Sequence, residues 1–389
     1  MTDLQIQILT SLVKVIAVPL TLFTLVPVMV WVERRGSAVI QDRRGPNRAP
    51  VFGFTLFGFP HLAADAIKFF TKESFTPANA SRLLYTLAPT MVLIPSIVAF
   101  AVIPFADDIL LSTSASPLVG SLGADGALQL GGGLVIPMAV ARLDGGLLFA
   151  FAVGSLGVLG IIVAGWSSGS KYPLISAVRT ASQMVSYELI LGLSALGIVV
   201  VYQSLEPNAI AQNQGTNFLD IIPKWGILIQ PLAFVLFLVA GFAECNRNPF
   251  DLPESESELV AGYHTEYSGM KFSMFFMAEY IAMMTMSGLI VTLFIGGWQV
   301  PWFSTDALRT ILFKILGSAQ IAVLATAVCQ LFWFALKSAF FLWLFVWVRW
   351  TLPRFRYDQL MDLSWKVLLP LGILNLTVTT FILGLLAFA

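Results

Sequence analysis

Residues 9–32 read LTSLVKVIAVPLTLFTLVPVMVWV, an apolar run in which Lys14 is the only charged side chain. A helix of about 20 apolar residues crosses the hydrocarbon core of a bilayer, and its backbone polar groups bond within the segment. The run ends in Glu33, Arg34 and Arg35 and contains no small-residue cleavage site. It therefore predicts a retained first transmembrane helix and not a signal peptide.

The whole chain shares this apolar character. Of its 389 residues, 57% are hydrophobic and 11% are charged, whereas about 25% are charged in a typical soluble domain. The 22 basic and 22 acidic residues balance, so no overall basic field favours nucleic acid as a partner. Cys245 and Cys329 lie far apart, and His61 and His264 lack partners at ligand spacing, which predicts no metal site and no disulfide framework.

Eight apolar stretches predict an all-α, polytopic integral membrane protein with about eight transmembrane helices in one domain, residues 1–389. The predicted spans lie near residues 9–32, 84–105, 147–166, 182–202, 226–245, 272–297, 327–349 and 366–388. Alternate connections then form four loops on one side of the membrane, at residues 33–83, 167–181, 246–271 and 350–365.

The basic residues indicate which side is cytoplasmic. The four loops and their flanks hold 16 of the 22 Lys and Arg residues, five lie on the other side, and Lys337 lies inside a span. Because basic residues accumulate in cytoplasmic loops, we expect both termini to face away from the cytoplasm. Residues 308–326 could form a ninth span, but this would reverse the charge bias that follows, so an outer interfacial helix or an extension of the seventh span is favoured.

Two segments between the spans have local patterns of their own. Residues 61–73 predict a short amphipathic helix in the cytoplasmic interface, with Asp65 and Lys68 on one face and Leu62 and Phe69 on another. A solvated loop helix is the alternative. Residues 120–133 contain six glycines, which predict a flexible, turn-rich outer loop.

Four ionisable residues inside the predicted spans need an explanation: Glu188, Glu244, Glu279 and Lys337. A charge at the bilayer centre costs roughly 2.5 to 3.5 kcal/mol even on lenient insertion scales, and such residues usually mark ion or proton routes. The alternative is that these groups pair with one another and fix the bundle.

The fifth span is followed by an acidic loop. If Pro253 opens a helix, Asp251, Glu254 and Glu258 fall on one stripe, where mutual repulsion favours proton exchange. The alternative is a solvated acidic loop in which Ser255 and Glu258 form a capping box.

Several long motifs carry a family resemblance. They are residues 33–36 (ERRG), 41–48 (QDRRGPNR), 170–172 (SKY), 186–188 (SYE), 244–270 (ECNRNPFDLPESESELVAGYHTEYSGM), 278–280 (AEY), 353–361 (PRFRYDQLM) and 365–366 (WK). Together they resemble the quinone-site membrane subunit of respiratory complex I, the H subunit of bacterial NADH:quinone oxidoreductase. The resemblance covers nearly the whole chain, although residues 308–326 look longer than the family's usual link into the seventh span.

The resemblance implies a fold and two groups of site residues. Five of the spans are expected to form a bundle similar to half of an antiporter. The residues expected to line a quinone chamber are Glu33, Arg34, Arg35, Arg44, Arg48, Asp65, Lys68, Arg247 and Asp251. The residues expected to relay protons are Glu188, Glu244, Glu254, Glu256, Glu258, Glu266, Glu279 and Lys337.

The resemblance also implies a setting in the bacterial inner membrane, with both termini facing the periplasm. Quinone is the expected substrate, whereas FMN and iron–sulfur clusters are expected in partner subunits, so the chain is not expected to catalyse alone. The expected partners are soluble quinone-site and iron–sulfur subunits, small membrane subunits, antiporter-like membrane subunits and lipid.

Two other functions are compatible with the buried charges. A stand-alone cation or proton transporter is disfavoured because the richest motifs lie in interfacial loops and no inverted repeat is found. The membrane subunit of an energy-converting hydrogenase shares the expected fold but handles no quinone, and residues 45–48 and 357–359 favour the quinone enzyme.

Overall fold

The computed structural model of the chain describes residues 2–50, 53–113, 116–122, 128–215, 217–218, 222–252 and 261–388. Most of them are helical. The helices are α1 Asp3–Ile40, α2 Pro60–Thr71, α3 Arg82–Phe100, α4 Gly146–Ser167, α5 Lys171–Tyr202, α6 Pro207–Asn213, α7 Gly226–Ile229, α8 Pro231–Glu244, α9 Gly269–Phe294, α10 Thr305–Leu316, α11 Ala319–Thr351, α12 Tyr357–Asp362 and α13 Leu369–Phe388. Leu363–Leu368 is a π-helical segment that joins α12 to α13.

Seven helical segments among the described residues are long and apolar enough to cross a membrane. They are α1, α3, α4, α5, α9, α11 and the continuous stretch Tyr357–Leu386. The shorter apolar helix α8 occupies most of the predicted fifth span. The prediction of an all-α polytopic membrane protein is confirmed.

The fifth span is a broken helix. Gln230 separates α7 from α8, and Pro231 opens α8 at the first helical position, where its missing N–H is not needed. The Gln230 side chain accepts a hydrogen bond from Asn375 Nδ2 at 2.9 Å and donates one to Thr379 Oγ1 at 2.6 Å. These amide and hydroxyl groups therefore tie the break to α13.

The helices run between two ends of the bundle. At one end, the Ser81 amide donates to the Ser167 carbonyl and the Phe355 amide donates to the Pro249 carbonyl. We call this the α2 end, because α2 packs there against α1, where the Phe59 ring stacks on Trp31 at 4.6 Å. The predicted helix over residues 61–73 is present as α2.

The opposite end, which we call the strand end, carries short strands. They are β1 Ile109–Leu111, β2 Val119–Leu122, β3 Leu128–Gly131, β4 Leu134–Ile136, β5 Asn217–Phe218 and β6 Ile222–Pro223. β1 pairs antiparallel with β4, β2 with β3 and β5 with β6. The start of α1 lies here too, since the Asp3 carboxylate accepts from Thr113 and Ser116 at 2.8 Å each.

The β2–β3 hairpin corrects the expectation of a turn-rich loop over residues 120–133, of which residues 123–127 lie outside the described part. The glycines allow close packing. A Cβ at Gly120 would lie 2.6 Å from the Cβ of Ala319, so this strand could not approach the start of α11 with a side chain there.

Residues 308–326 divide between two helices. Ser304 caps α10 by accepting from the Ala307 amide, and Gly317 ends it with a φ of 69°, a left-handed conformation that glycine adopts at low cost. α11 then begins at Ala319, earlier than the predicted seventh span. The stretch thus contains both a short helix and an extension of the seventh span.

The apolar core lies where α1, α5, α8, α9 and α11 meet. Its largest buried side chains include Tyr187, Phe237, Phe294, Phe341 and Phe345. Towards the α2 end this apolar packing gives way to charged groups held between the same helices.

Candidate functional site

Glu33 is the acidic centre of a cluster at the α2 end. It lies in the last third of α1, and only 7% of the residue is exposed. Its Oε1 lies 2.5 Å from Arg349 Nη1 of α11, and its Oε2 lies 3.2 Å from Arg247 Nη1. The Tyr280 hydroxyl of α9 donates to the same Oε2 at 2.6 Å.

Arg247 connects Glu33 to a second carboxylate. Its Nε lies 2.5 Å from Glu279 Oε1, its guanidinium carbon lies 4.4 Å from the Tyr280 ring centroid, and only 2% of the residue is exposed. Burial opposes the charge of Arg247, but the carboxylates of Glu279 and Glu33 outweigh it, so the pKa of Arg247 is raised. Arg247 is therefore a permanent cation between two helices.

Local contacts place Arg247 at this position. The chain turns sharply after α8, where Asn246 adopts a φ of 49° and the Arg247 amide donates to the Phe242 carbonyl. The buried amide of Gln183 on α5 donates to the carbonyls of Ala243 at 2.9 Å and Phe250 at 2.8 Å. The loop that carries Arg247 is thus held by hydrogen bonds to α8 and to α5.

We call Glu33, Arg247, Glu279, Arg349 and Tyr280 the buried ion network. Its two carboxylates and two guanidinium groups balance. Removing one partner of a buried ion pair is much more destabilising than removing both, because a buried charge is left without compensation. The network is therefore sensitive to any change of charge beside it.

A cavity of about 100 Å³ adjoins the network. Glu188 of α5, Glu244 of α8 and Glu279 of α9 all line it, together with Asn246 and apolar residues of α3 and α4. Glu244 Oε2 is buried, and no described residue hydrogen-bonds to it. The three membrane glutamates predicted from the sequence therefore share one space, and Glu279 belongs to both the cavity and the network.

Lys337 lies elsewhere. Its ammonium donates to the backbone carbonyls of Ile295, Gly297 and Gln299 just beyond α9, at the strand end. Lys337 is not among the described residues that line the glutamate cavity. The structure brings together three of the four predicted membrane charges and separates the fourth.

The other predicted chamber residues lie around α2 and the loop after α1. Arg34 pairs with Asp65 at 2.6 Å, and both side chains are partly exposed. The Arg35 guanidinium carbon lies 5.9 Å from the Trp31 ring centroid and 5.7 Å from that of Phe57.

Three further chamber candidates are exposed. Arg44 lines an open groove of about 330 Å³ together with Arg35 and Arg43. Arg48 and Lys68 also lie on the exposed surface of this end. These basic side chains are accessible to a partner or ligand and do not enter the buried ion network.

The acidic loop is described only in part. Asp251 is buried and pairs with Arg354 Nη2 at 3.2 Å, and the Glu266 carbonyl accepts from the Tyr85 hydroxyl at 2.6 Å. Glu254, Glu256 and Glu258, the proton-relay candidates of this loop, lie outside the described residues.

Sequence reasoning misses Arg349, Arg354 and Tyr280 as site residues. It identifies Arg349 only as a basic residue that flanks a span, and Arg354 and Tyr280 only as parts of motifs. The available signal is an acid at the end of the first span, Glu33, which needs a basic partner when it is buried.

Together the fold and the site define a class: a polytopic helical membrane protein with a charge-balanced ion network and a carboxylate-lined cavity in its bundle. The family model described as NADH dehydrogenase matches residues 13–380. The chain is 42% identical over 387 residues to the NADH-quinone oxidoreductase H subunit of Bdellovibrio bacteriovorus, with 97% of each chain covered. It is 41% identical over 386 residues to the H subunit numbered 1 of the same enzyme in Geobacter metallireducens, covering 99% and 100% of the two chains.

A third relative agrees. The chain is 44% identical over 361 residues to the NADH-quinone oxidoreductase H subunit of Thermomicrobium roseum, with 92% of this chain and 91% of that one covered. The chain belongs to the family of the NADH-quinone oxidoreductase H subunit, a membrane subunit of respiratory complex I. The resemblance inferred from the motifs is confirmed.

Proposed function

We propose that this chain walls a quinone chamber at its α2 end and couples quinone reduction to proton translocation. One observation supports this most directly: the expected chamber residues Glu33 and Arg247 share the buried ion network with the expected relay residue Glu279. A charge that arrives beside the network can thus act on the glutamate cavity through a shared ion pair.

The chemistry follows from the charge balance. Reduction of a quinone consumes two electrons and two protons, so its head group carries negative charge while the electrons have arrived and the protons have not. A charge beside Glu33 changes the electrostatic energy of Arg247. The strength of the ion pair between Arg247 and Glu279 changes as a result. In response, the carboxyl groups of Glu279, Glu188 and Glu244 pass protons to one another across the cavity that they share.

We further propose that the chain works within a larger membrane enzyme. Electrons arrive from FMN and iron–sulfur clusters held by soluble partner subunits, and small and antiporter-like membrane subunits carry the charge movement further. The chain is not catalytic alone. It lies in a bacterial inner membrane, with the α2 end in the cytoplasm and both termini in the periplasm.

The test is a pair of substitutions in the cavity. Glu188→Gln and Glu244→Gln keep side-chain shape but remove the titratable proton. In sealed vesicles that contain the assembled enzyme, we expect quinone reduction and the proton yield to fall together, by about tenfold or more. Electron transfer from NADH to a soluble artificial acceptor should stay normal, because those cofactors lie in other subunits.

The matched control is Glu73→Gln, a substitution of an exposed glutamate outside the cavity. It should leave all three activities unchanged. If both cavity variants assemble and keep an undiminished proton yield per electron pair, the glutamates are not on the path and instead stabilise the bundle.

The broken helix at Gln230 gives a stand-alone transporter one supporting observation, since discontinuous helices form ion sites in transporters. Gentle solubilisation and identification of the co-purifying chains separates the alternatives. The proposal expects a flavin and iron–sulfur arm with quinone reductase activity. A hydrogenase, or a protein that purifies alone, would contradict it.

A further inference from the structure

The Lys337 ammonium sits among backbone carbonyls at the strand end of α9. It donates to the carbonyl oxygens of Ile295 at 2.8 Å, Gly297 at 3.1 Å and Gln299 at 2.7 Å. A lysine ammonium has three N–H donors and no acceptor. Each donor therefore has one carbonyl partner, and the hydrogen-bonding capacity of the ammonium is filled.

The backbone beyond α9 is shaped to present these carbonyls. Gly296 and Gly297 adopt φ values of 70° and 51°, a left-handed conformation that lets the chain curl back at the helix end. The Gly296 amide donates to Gln214 Oε1 at 2.9 Å, and this hydrogen bond stabilises the turn after α9. The carbonyls at the end of a helix lack intrahelical partners and favour a cation.

An aromatic ring completes the surroundings of the ammonium. The Trp225 ring centroid lies 5.1 Å from Lys337 Nζ, within the range of a cation–π interaction. A Cβ at Gly296 would lie 2.6 Å from Trp225 Nε1, so the ring packs directly on the glycine backbone. Three carbonyls and a ring face thus surround one cation.

We infer that residues 295–299 and Trp225 form a binding site for a primary ammonium ion, which Lys337 fills as a tethered ligand. Lys337 is then a positioning residue that fixes the end of α9 against α11. This goes beyond the proposed function and does not rest on it. It also replaces the expectation that Lys337 relays protons, because its hydrogen-bond partners are backbone carbonyls, which do not take up its proton.

The test removes the tether and supplies the ligand separately. Lys337→Ala deletes the side chain beyond Cβ and leaves room for n-propylammonium, which carries the same three donors. In membranes that contain the assembled complex, we expect the temperature at which the complex dissociates on native gels to fall by roughly 5 °C. Added n-propylammonium should restore at least half of the loss.

Two controls distinguish hydrogen bonding from simple charge. Tetramethylammonium is a cation without N–H donors, so it should not restore the complex. Lys314→Ala removes an exposed lysine of α10 and should change nothing. An unchanged dissociation temperature in Lys337→Ala, or equal rescue by tetramethylammonium, would overturn the inference.

A second variant covers the case in which Lys337→Ala does not assemble. Lys337→Gln keeps an amide with two N–H donors but removes the charge. The inference expects this variant to assemble with a dissociation temperature below that of the unmodified chain. A Gln variant as stable as the unmodified chain would show that the site does not require an ammonium ion.

Discussion

Arg247 is the residue on which the buried ion network depends, because it contacts both Glu33 and Glu279. Its position between two carboxylates offsets a desolvation penalty that amounts to several kcal/mol for each buried ion. The Tyr280 ring under the guanidinium and the Tyr280 hydroxyl on Glu33 add two further contacts. The pair of acids and the pair of arginines therefore form one electrostatic unit.

The first prediction follows from this unit. Glu33→Gln should leave Arg349 and Arg247 without their shared carboxylate, and the loss should be about 3 kcal/mol or more. We expect little assembled complex in membranes, measured by native gels. Asp65→Asn is the matched control, since its ion pair with Arg34 is partly exposed and pairs of that kind contribute about 0 to 1 kcal/mol. Equal amounts of complex in both variants would contradict the prediction.

A second residue-scale prediction concerns pH. His264 lies buried in the loop before α9, among the rings of Tyr263, Phe272 and Phe276, and burial lowers its pKa from 6.5 to about 4. Between these values the unfolded chain binds the proton and the folded chain does not. The free energy of unfolding therefore has its full value above pH 6.5. It decreases by about 3 kcal/mol as the pH falls towards 4, because protonation of His264 favours the unfolded chain.

The measurement compares slopes. The dissociation temperature of the complex should fall between pH 7 and pH 5, and His264→Asn should make that fall shallower. His61→Asn controls for the removal of an imidazole, because the chain has two histidines. An identical slope in the His264→Asn variant and the unmodified chain would contradict the assignment.

At the scale of elements, the membrane helices were predictable because each one is a local run of apolar residues. Their full lengths were not predictable in the same way. α5 begins at Lys171, well before the predicted span. Its first turns contain the charged residues Lys171 and Arg179, so they are not part of the apolar stretch from which the span was predicted. Hydropathy detects the part of a helix that suits lipid, and the polar extension is fixed by packing against neighbouring elements.

The break at Gln230 shows a second limit. A residue before proline is disfavoured in a helix, so the Gln230–Pro231 pair carried a local signal. The same signal precedes Pro19, Pro27, Pro89 and Pro95, which lie inside continuous helices. What distinguishes Gln230 is the pair of partners on α13, Asn375 and Thr379, and a contact so distant in sequence was not predictable from one chain.

The candidate site was also predictable only where a residue stands out from its local sequence. Glu188, Glu244 and Glu279 could be singled out because each is a charge in an apolar segment, and the structure places all three on one cavity. Lys337 satisfied the same criterion but binds backbone carbonyls, which no pattern of side chains reveals. Arg349 could not be assigned to Glu33 because the two residues come from α1 and α11.

At the scale of the whole molecule, the two ends of the bundle give a topological prediction. Single cysteines at Ser74 and Asp358 at the α2 end should react with a membrane-impermeant maleimide only from the cytoplasmic side, since the basic residues gather there. Cysteines at Ser121 and Asp306 at the strand end should react only from the other side. All four native residues are exposed.

The unmodified chain is the control for background labelling, because Cys245 is buried and Cys329 is partly buried. Asp306 and Asp358 are the decisive pair, as they flank α10 and α11. Labelling of both from one side of sealed vesicles would mean that residues 308–326 add another crossing.

The equal numbers of acids and arginines in the buried ion network also constrain how the protein can change over generations. A single inherited substitution that removes Glu33 or Arg349 passes through a form with an unbalanced buried charge. A substitution at only one of these two positions is therefore disfavoured, whereas paired substitutions that keep the charges balanced are tolerated. We expect related lineages to differ at both residues together. An ancestor that carried one change alone should have left few descendants.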